Sequence, residues 1–322
     1  MTIKKIDEHS KADFFALQSL KGCLFSKEAW CNIYGDGLEL YGIFNKDNKL
    51  VGGFHLYKSK KAKFLTHYKN PPFTPHIGLF FDNQSGNKSN SLSFEKSIFQ
   101  ALAEFFNKLP FQIFTIALAP QFTDVQHFSW NNFKAIPNYT YQIDLTQNVD
   151  TLLKNLASDK RNSINKAGKD GVQVIQNFDL NAVKQMVQNT YLRKAKNLNE
   201  AVLNPILHEF SNSENSFSYL ASVGTAPTAL SFCIHDKTTA YYLLGGYNSA
   251  NKHQGAGVLA LWNCILHAKN LGLNKFDFEG SMIPQVEKYF RGFGGDLVPY
   301  FTINKASLPI EMALKFVKRE IF

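Results

Sequence analysis

Two clusters of residues in this sequence have types and spacing suited to chemistry. The first is Gly245-Gly246-Tyr247-Asn248, followed by Lys252-His253-Gln254-Gly255-Ala256-Gly257 and a helical pattern. Small residues let the backbone approach a ligand closely, and the N-terminus of the next helix offers unpaired N–H groups and a field that favours phosphate. The stretch lacks the third glycine of a dinucleotide fingerprint and the Gly-Lys-Ser/Thr of a triphosphate loop. A plain Gly-rich turn has the same composition, so the loop by itself leaves both readings open.

The second cluster is Glu279, Ser281 and Arg291. Glu279 follows a short apolar run that reads as a parallel strand, and ligands of α/β sheets bind beyond the carboxyl ends of such strands. A carboxylate there can accept a proton or orient an amine, or it can cap a helix or join an ion pair. Ser281 can cap the next turn, or donate to an oxyanion or a leaving thiolate. Arg291 suits an acidic acceptor or a surface ion pair. Tyr247 reads as strand packing whose hydroxyl can reach a cleft. Arg161 and Lys166 lie one to two helical turns apart, which fits a solvated face or contacts to an acceptor phosphate. His67, His76 and His127 are isolated, so no metal is expected. The loop 71–78, rich in proline, is a rigid connection or one wall of an acceptor pocket. No Gly-x-Ser-x-Gly elbow is present, which disfavours a covalent hydrolase.

The elements that position these residues alternate between two periods. Residues 38–44, 51–57, 139–145 and 239–247 read as strands rich in aromatic and β-branched side chains. Residues 94–109, 180–191 and 258–271 repeat apolar positions at three and four, as helices do. Residues 83–93, rich in Ser and Asn, read as a mobile loop. The polar stretch 146–150 reads as a seam, with Asp150 as the cap of a new helix. The two halves share an element order, which gives an α/β fold with mixed sheets and a structural repeat. The expected domains are 1–146 and 147–322.

Composition narrows the classes. The 322 residues are 44% hydrophobic and 19% charged, a globular balance, with formal net charge +9. That charge favours an anionic partner. No apolar run reaches the ~18 residues that span a bilayer. Residues 1–11 carry no signal-like core, so a cytoplasmic protein without stable membrane insertion is expected. Cys23, Cys31, Cys233 and Cys264 lack paired metal spacing and read as reduced core residues.

The order of the second half is similar to that of the GNAT superfamily of N-acetyltransferases. Its donor loop runs Gln/Arg-x-x-Gly-x-Gly/Ala; here Lys252 holds the first position, and Gly255 and Gly257 match. Trp262, Ala268, Gly272, Phe276-Asp277-Phe278-Glu279-Gly280 and Tyr289-Phe290-Arg291-Gly292-Phe293-Gly294 resemble the FemAB group of aminoacyltransferases and its acetyltransferase relatives. Ser158, Arg161, Ile164, Lys166-Ala167 and Gly171-Val172 resemble a further stretch of that group. The family lysine of Phe-Lys-x-Gly-Phe falls on Phe290, and Arg291 is the nearest cation. The resemblance implies two tandem GNAT-like domains facing a shared cleft, the second carrying the donor loop 252–257. It implies an N-acyltransferase using acetyl-CoA or another acyl-CoA, with Glu279 and Ser281 catalytic. Arg161, Lys166, Tyr247 and Arg291 would bind an amine acceptor, acidic or phosphate-bearing. Transfer from aminoacyl-tRNA to a peptidoglycan precursor is the alternative, and a non-catalytic binding protein on the same scaffold is a third. The long helical arm that some members use for tRNA has no heptad counterpart here, so tRNA is not favoured.

Overall fold

Strand formation follows the aromatic runs, and the helices between them bury one apolar face each. In the computed structural model, residues 1–61, 64–193, 195 and 197–317 are described. The chain begins with β1 (Thr2–Lys5), α1 (Lys11–Lys21), α2 (Glu28–Asn32), β2 (Leu38–Phe44), β3 (Leu50–Lys61), β4 (Leu65–Lys69) and β5 (Phe80–Phe81). It continues with α3 (Lys88–Lys108), β6 (Ile113–Ala117), α4 (Gln126–Trp130), β7 (Lys134–Asp144), α5 (Val149–Asn155), α6 (Ser158–Lys169) and β8 (Gln173–Asn177). Then come α7 (Leu180–Arg193), α8 (Glu200–Pro205), β9 (Ser216–Val223), β10 (Ala226–His235), β11 (Thr239–Tyr247) and α9 (Ala256–Asn270). The last elements are β12 (Lys275–Asp277), α10 (Pro284–Arg291), β13 (Asp296–Ala306) and α11 (Leu308–Val317). Among the described residues no helix is long and apolar enough to cross a membrane.

Two local expectations are corrected. Residues 88–93 are helical and not part of a loop, because the Asn87 carboxamide accepts from the Asn90 N–H at 2.9 Å and starts α3 there. Asn148, not Asp150, caps α5 by accepting from the Thr151 N–H at 2.8 Å. Further on, α8 ends at Pro205 and passes into a five-residue π turn, Ile206–Phe210. Proline lacks the N–H that would continue the ladder.

The chain packs as two compact units, Met1–Asn138 together with the chain from Pro299, and Tyr139–Val298. In the first, β1-β2-β3-β4 pair antiparallel in turn, and β4 then pairs parallel with β6. The crossover between those parallel strands contains α3. The unit is closed by β13, whose Thr302–Ala306 run antiparallel to Ile113–Ala117. Its core is aromatic. Phe106 of α3 is fully buried, with the rings of Phe54, Phe114, Phe128 and Phe133 at 5.6, 4.8, 6.1 and 6.4 Å.

In the second unit β8-β9-β10-β11 pair antiparallel in turn, and β11 pairs parallel with β12 through the crossover helix α9. This unit is closed by β7, antiparallel to β12. Val258, Leu261, Trp262 and Ile265 of α9 share its core with Phe217, Cys233, Ala240, Phe276 and Phe278. Each unit therefore uses the same sequence of pairings. The cysteines are reduced, with Cys31, Cys233 and Cys264 buried and Cys23 half-buried.

Truncating Phe106 to alanine should remove about 3–5 kcal/mol of stability, the usual scale for a large aromatic side chain in a packed core. Urea denaturation measures it; a loss below about 1 kcal/mol would mean the ring does not anchor this cluster.

Candidate active site

The site grows from a fork in the sheet of the second unit. β11 and β12 pair over three residues only: Thr239, Ala240 and Tyr241 with Lys275, Phe276 and Asp277. Past that point the chain leaving β12 stays with β7. The Phe278 N–H donates to the Tyr141 carbonyl at 3.1 Å and the Ser281 N–H to the Tyr139 carbonyl at 2.9 Å. β11 instead continues beside β10 to Tyr247, with an irregularity in register where Tyr242 and Leu244 face Cys233 and Phe232. Such a bulge adds local twist and turns the strand away. The two strands separate, and the β12 side of β11 loses its partner beyond Tyr241.

Two carboxylates sit at the fork. Asp277 is buried and accepts from Thr140 Oγ1, Gln142 Nε2 and the Glu279 N–H at 2.7, 2.7 and 2.8 Å. Burial raises its pKa, and those three donors oppose the rise. Glu279 follows with φ +61°, a left-handed conformation uncommon for a residue bearing Cβ. Its Oε1 is closed off from solvent, and among the described residues no group hydrogen-bonds to it. Burial, and secondly the charge of Asp277, pushes the Glu279 carboxyl well above its ordinary value near 4.5. A group so placed favours its neutral form and can take up a donor or a cation supplied by a ligand.

The glycine loop is organised from behind. The His253 Nδ1 accepts from the Gly255 N–H at 3.1 Å, and its Nε2 lies 3.0 Å from Asp170 Oδ2. Lys166 reaches the same oxygen at 2.8 Å. These two partners, Lys166 first, hold the Asp170 carboxyl below its usual value. The Ala256 N–H donates to the His253 carbonyl at 3.2 Å. The first-turn N–H groups left to a ligand are therefore those of Gly257 and Val258. Gly255 is small for a packing reason, since a Cβ there would lie 2.3 Å from the Ser163 carbonyl oxygen of α6. Lys252 and Gln254 are exposed.

The other residues singled out from the sequence are dispersed. Ser281 is buried, and its hydroxyl donates to the Tyr139 carbonyl at 3.0 Å. The Arg161 guanidinium donates to the carbonyls of Lys154 and Leu156 at the end of α5. Arg291 is 63% exposed and pairs with Glu287 at 3.0 Å. Tyr247 lies at the end of β11, its N–H bonded to Thr190 Oγ1 at 2.9 Å and Arg193 over its ring at 5.6 Å. Phe290 is a core residue stacked on Phe278 at 4.6 Å, with Tyr242 edge-on at 5.8 Å. Among the described residues no group of three or more His, Cys, Asp or Glu is placed to hold a metal.

Two residues to which the sequence assigned no role join the site. The Tyr289 hydroxyl lies 3.7 Å from the position a Cβ on Gly257 would take, and Ala229, which pairs with Tyr247, lies 3.8 Å from it. The start of α9 is thus at the same end of β11 that lacks β12. Lys160, whose side chain is 9% exposed, holds its ammonium 4.4 Å above the Tyr289 ring.

A sheet forked between a parallel pair, with a crossover helix starting at the fork, is a GNAT-type acyltransferase fold. Residues 159–291 match the family model described as Acetyltransferase (GNAT) domain. The fold of the whole chain is similar to that of FemX, at 12% identity and TM-score 0.67, covering 98% of this chain and 99% of that one. It is also similar to a conserved protein of unknown function from Bacteroides thetaiotaomicron VPI-5482, at 10% identity and TM-score 0.59, over 94% and 98%. L-PGS from Bacillus licheniformis follows the same fold at 12% identity and TM-score 0.55, over 99% and 98%. No curated protein sequence matches the chain.

The raised Glu279 pKa has a measurable sign. Below about pH 4.5 both folded and unfolded chains hold the proton, and no charge is buried. As pH rises from there toward the folded value, the unfolded chain ionises first and stability falls. Glu279→Gln keeps the shape and cannot titrate, so its urea midpoint should fall less between about pH 5 and 7 than that of the wild type. Parallel pH curves for the two proteins would mean that Glu279 titrates as an ordinary exposed acid.

Proposed function

We propose that this protein is an N-acyltransferase that moves an acyl group from a CoA thioester to an amine. The observation that carries the reading is the fork between β11 and β12, with the free N–H groups of Gly257 and Val258 at its mouth. An extended donor arm can pair with the open edge of β11 as a strand would, while the helix start receives the pyrophosphate. The net charge of +9 draws such an anion in. The tandem arrangement, two acetyltransferase-like domains expected over 1–146 and 147–322, is part of the proposal, with β7 and β13 each closing the sheet of the other half; the pairing order common to both units supports it.

In this reading the acceptor nitrogen attacks the thioester carbon, and N–H groups on the open edge of β11 steady the oxyanion. The C–S bond then breaks. The amine proton passes to Glu279 in its ionised form, directly or through water, and Tyr289 gives its proton to the leaving thiolate. Glu279 also suits the task because its orphaned oxygen awaits a donor. Transfer from an aminoacyl-tRNA is the second reading, favoured by the net charge; it predicts RNA binding that weakens steeply with salt.

Acetyl-CoA or a longer acyl-CoA should stabilise the protein by about 2.7 kcal/mol at one hundred times its Kd, read as a rise in Tm. A panel of thioesters that leaves Tm unmoved, while RNA raises it, would replace the first reading by the second.

Rate against pH tests the base. Because Glu279 must lose its raised-pKa proton to accept another, kcat/KM should climb with pH through that value. Glu279→Gln should flatten this limb and lower turnover by about 10²-fold or more while donor affinity holds. A variant with normal turnover would make the carboxyl an architectural group.

A further inference from the structure

Lys160 is a cation built into the interior of the second unit, and among the described residues its ammonium has no hydrogen-bond acceptor. It occupies the buried face of α6, one turn before Ser163 and two before Ala167, both of which press on Gly255. Its stem runs along Gly292, where a Cβ would come within 2.6 Å of Lys160 Cε and 3.1 Å of Cγ. The Ala157 N–H bonded to the Gly292 carbonyl at 2.9 Å fixes that approach. The ammonium lies 4.4 Å from the centroid of the Tyr289 ring and 5.8 Å from that of Phe293.

Aromatic faces attract a cation but do not satisfy its three N–H donors. Among the described residues the ion-pair partner of Lys160 is Asp159, at 3.6 Å, beyond hydrogen-bond distance and on a side chain 71% exposed to water. The neighbouring cations are otherwise engaged, Arg161 with carbonyls at the end of α5 and Lys166 with Asp170. Tyr289 links Lys160 to the donor loop: the ammonium rests on its ring, and its hydroxyl stands beside Gly257. An ammonium on a side chain only 9% exposed, resting on aromatic rings, gains more from an arriving anion than a fully hydrated surface lysine does.

We propose that Lys160 forms an anion subsite of its own, separate from the first turn of α9, which holds a phosphate of a phosphorylated acyl carrier of the CoA type. The ligand then carries two anionic contacts, one at the N–H groups of Gly257 and Val258 and one at Lys160. The assignment of the carrier rests on the donor reading above; the anion subsite does not.

Calorimetric titration of CoA, and separately of inorganic pyrophosphate, into wild type, Lys160→Met and Lys160→Arg tests it at about 50 and 300 mM salt. Methionine keeps the length and apolar stem, so urea midpoints should stay close to wild type. Lys160→Gln serves as a second uncharged variant. Affinity for CoA should fall at least about tenfold in both uncharged variants, with a shallower salt dependence, and recover in large part in Lys160→Arg. Unchanged CoA affinity in folded Lys160→Met and Lys160→Gln would overturn the subsite and leave the donor reading intact. Pyrophosphate binding that requires Lys160, in a wild type that ignores CoA, would keep the subsite and overturn the donor reading. Binding of neither probe by the wild type would overturn both.

Discussion

The second unit depends on a competition between two neighbours for one short strand. The chain through β12 pairs with β11 for three residues and then follows β7, held there by N–H groups of Phe278 and Ser281 on carbonyls of Tyr141 and Tyr139. Asp277 reinforces the choice, because two of its three donors, Thr140 and Gln142, belong to β7. Burying a carboxylate is unfavourable unless donors surround it, and here they do. The direction in which β12 leaves therefore opens the sheet. It also places Glu279, in its left-handed conformation, where the opening begins.

Around the fork, packing decides which side chains remain available to a ligand. α6 lies so close to the start of α9 that only glycine fits at 255, and the Asp170 carboxylate joins Lys166 to His253 behind the loop. His253 and its carbonyl then satisfy the N–H groups of Gly255 and Ala256, which leaves those of the next two residues as the first-turn donors still open. An aromatic group of Phe278, Phe290, Phe293 and Tyr289 fills the space between α10 and the sheet. Phe290 belongs to that packing, so positive charge reaches the region from α6 through Lys160.

Both units repeat one construction: antiparallel pairs, then a parallel pair whose crossover contains a long helix, then an antiparallel closing strand. The closing strands are exchanged along the chain. β7 ends the first half of the sequence yet closes the second unit from Tyr139 onward, and β13 returns to close the first. A strand binds wherever an edge offers unpaired N–H and C=O groups, whatever its place in the sequence.

The order of elements, the glycine loop ahead of a helix and the carboxylate just past a parallel strand were all legible in the sequence. Local periodicity and the absence of side chains act over a few residues, and the loop motif adds a resemblance that the fold bears out. Roles that require long-range contacts were not legible. Arg161 and Lys166 have the right charge and spacing for a ligand, yet α5 and Asp170 engage them. Lys160, next to Arg161 in the same basic run, is indistinguishable from them in sequence and becomes a buried cation because Tyr289 and Gly292 arrive from about 130 positions further on. The same holds for the Glu279 carboxyl: its position past the strand is a local property, but its raised pKa comes from burial and Asp277. Desolvation and partner geometry are set by segments distant in the chain, so only the tertiary structure decided which charged residues have something left to offer a substrate.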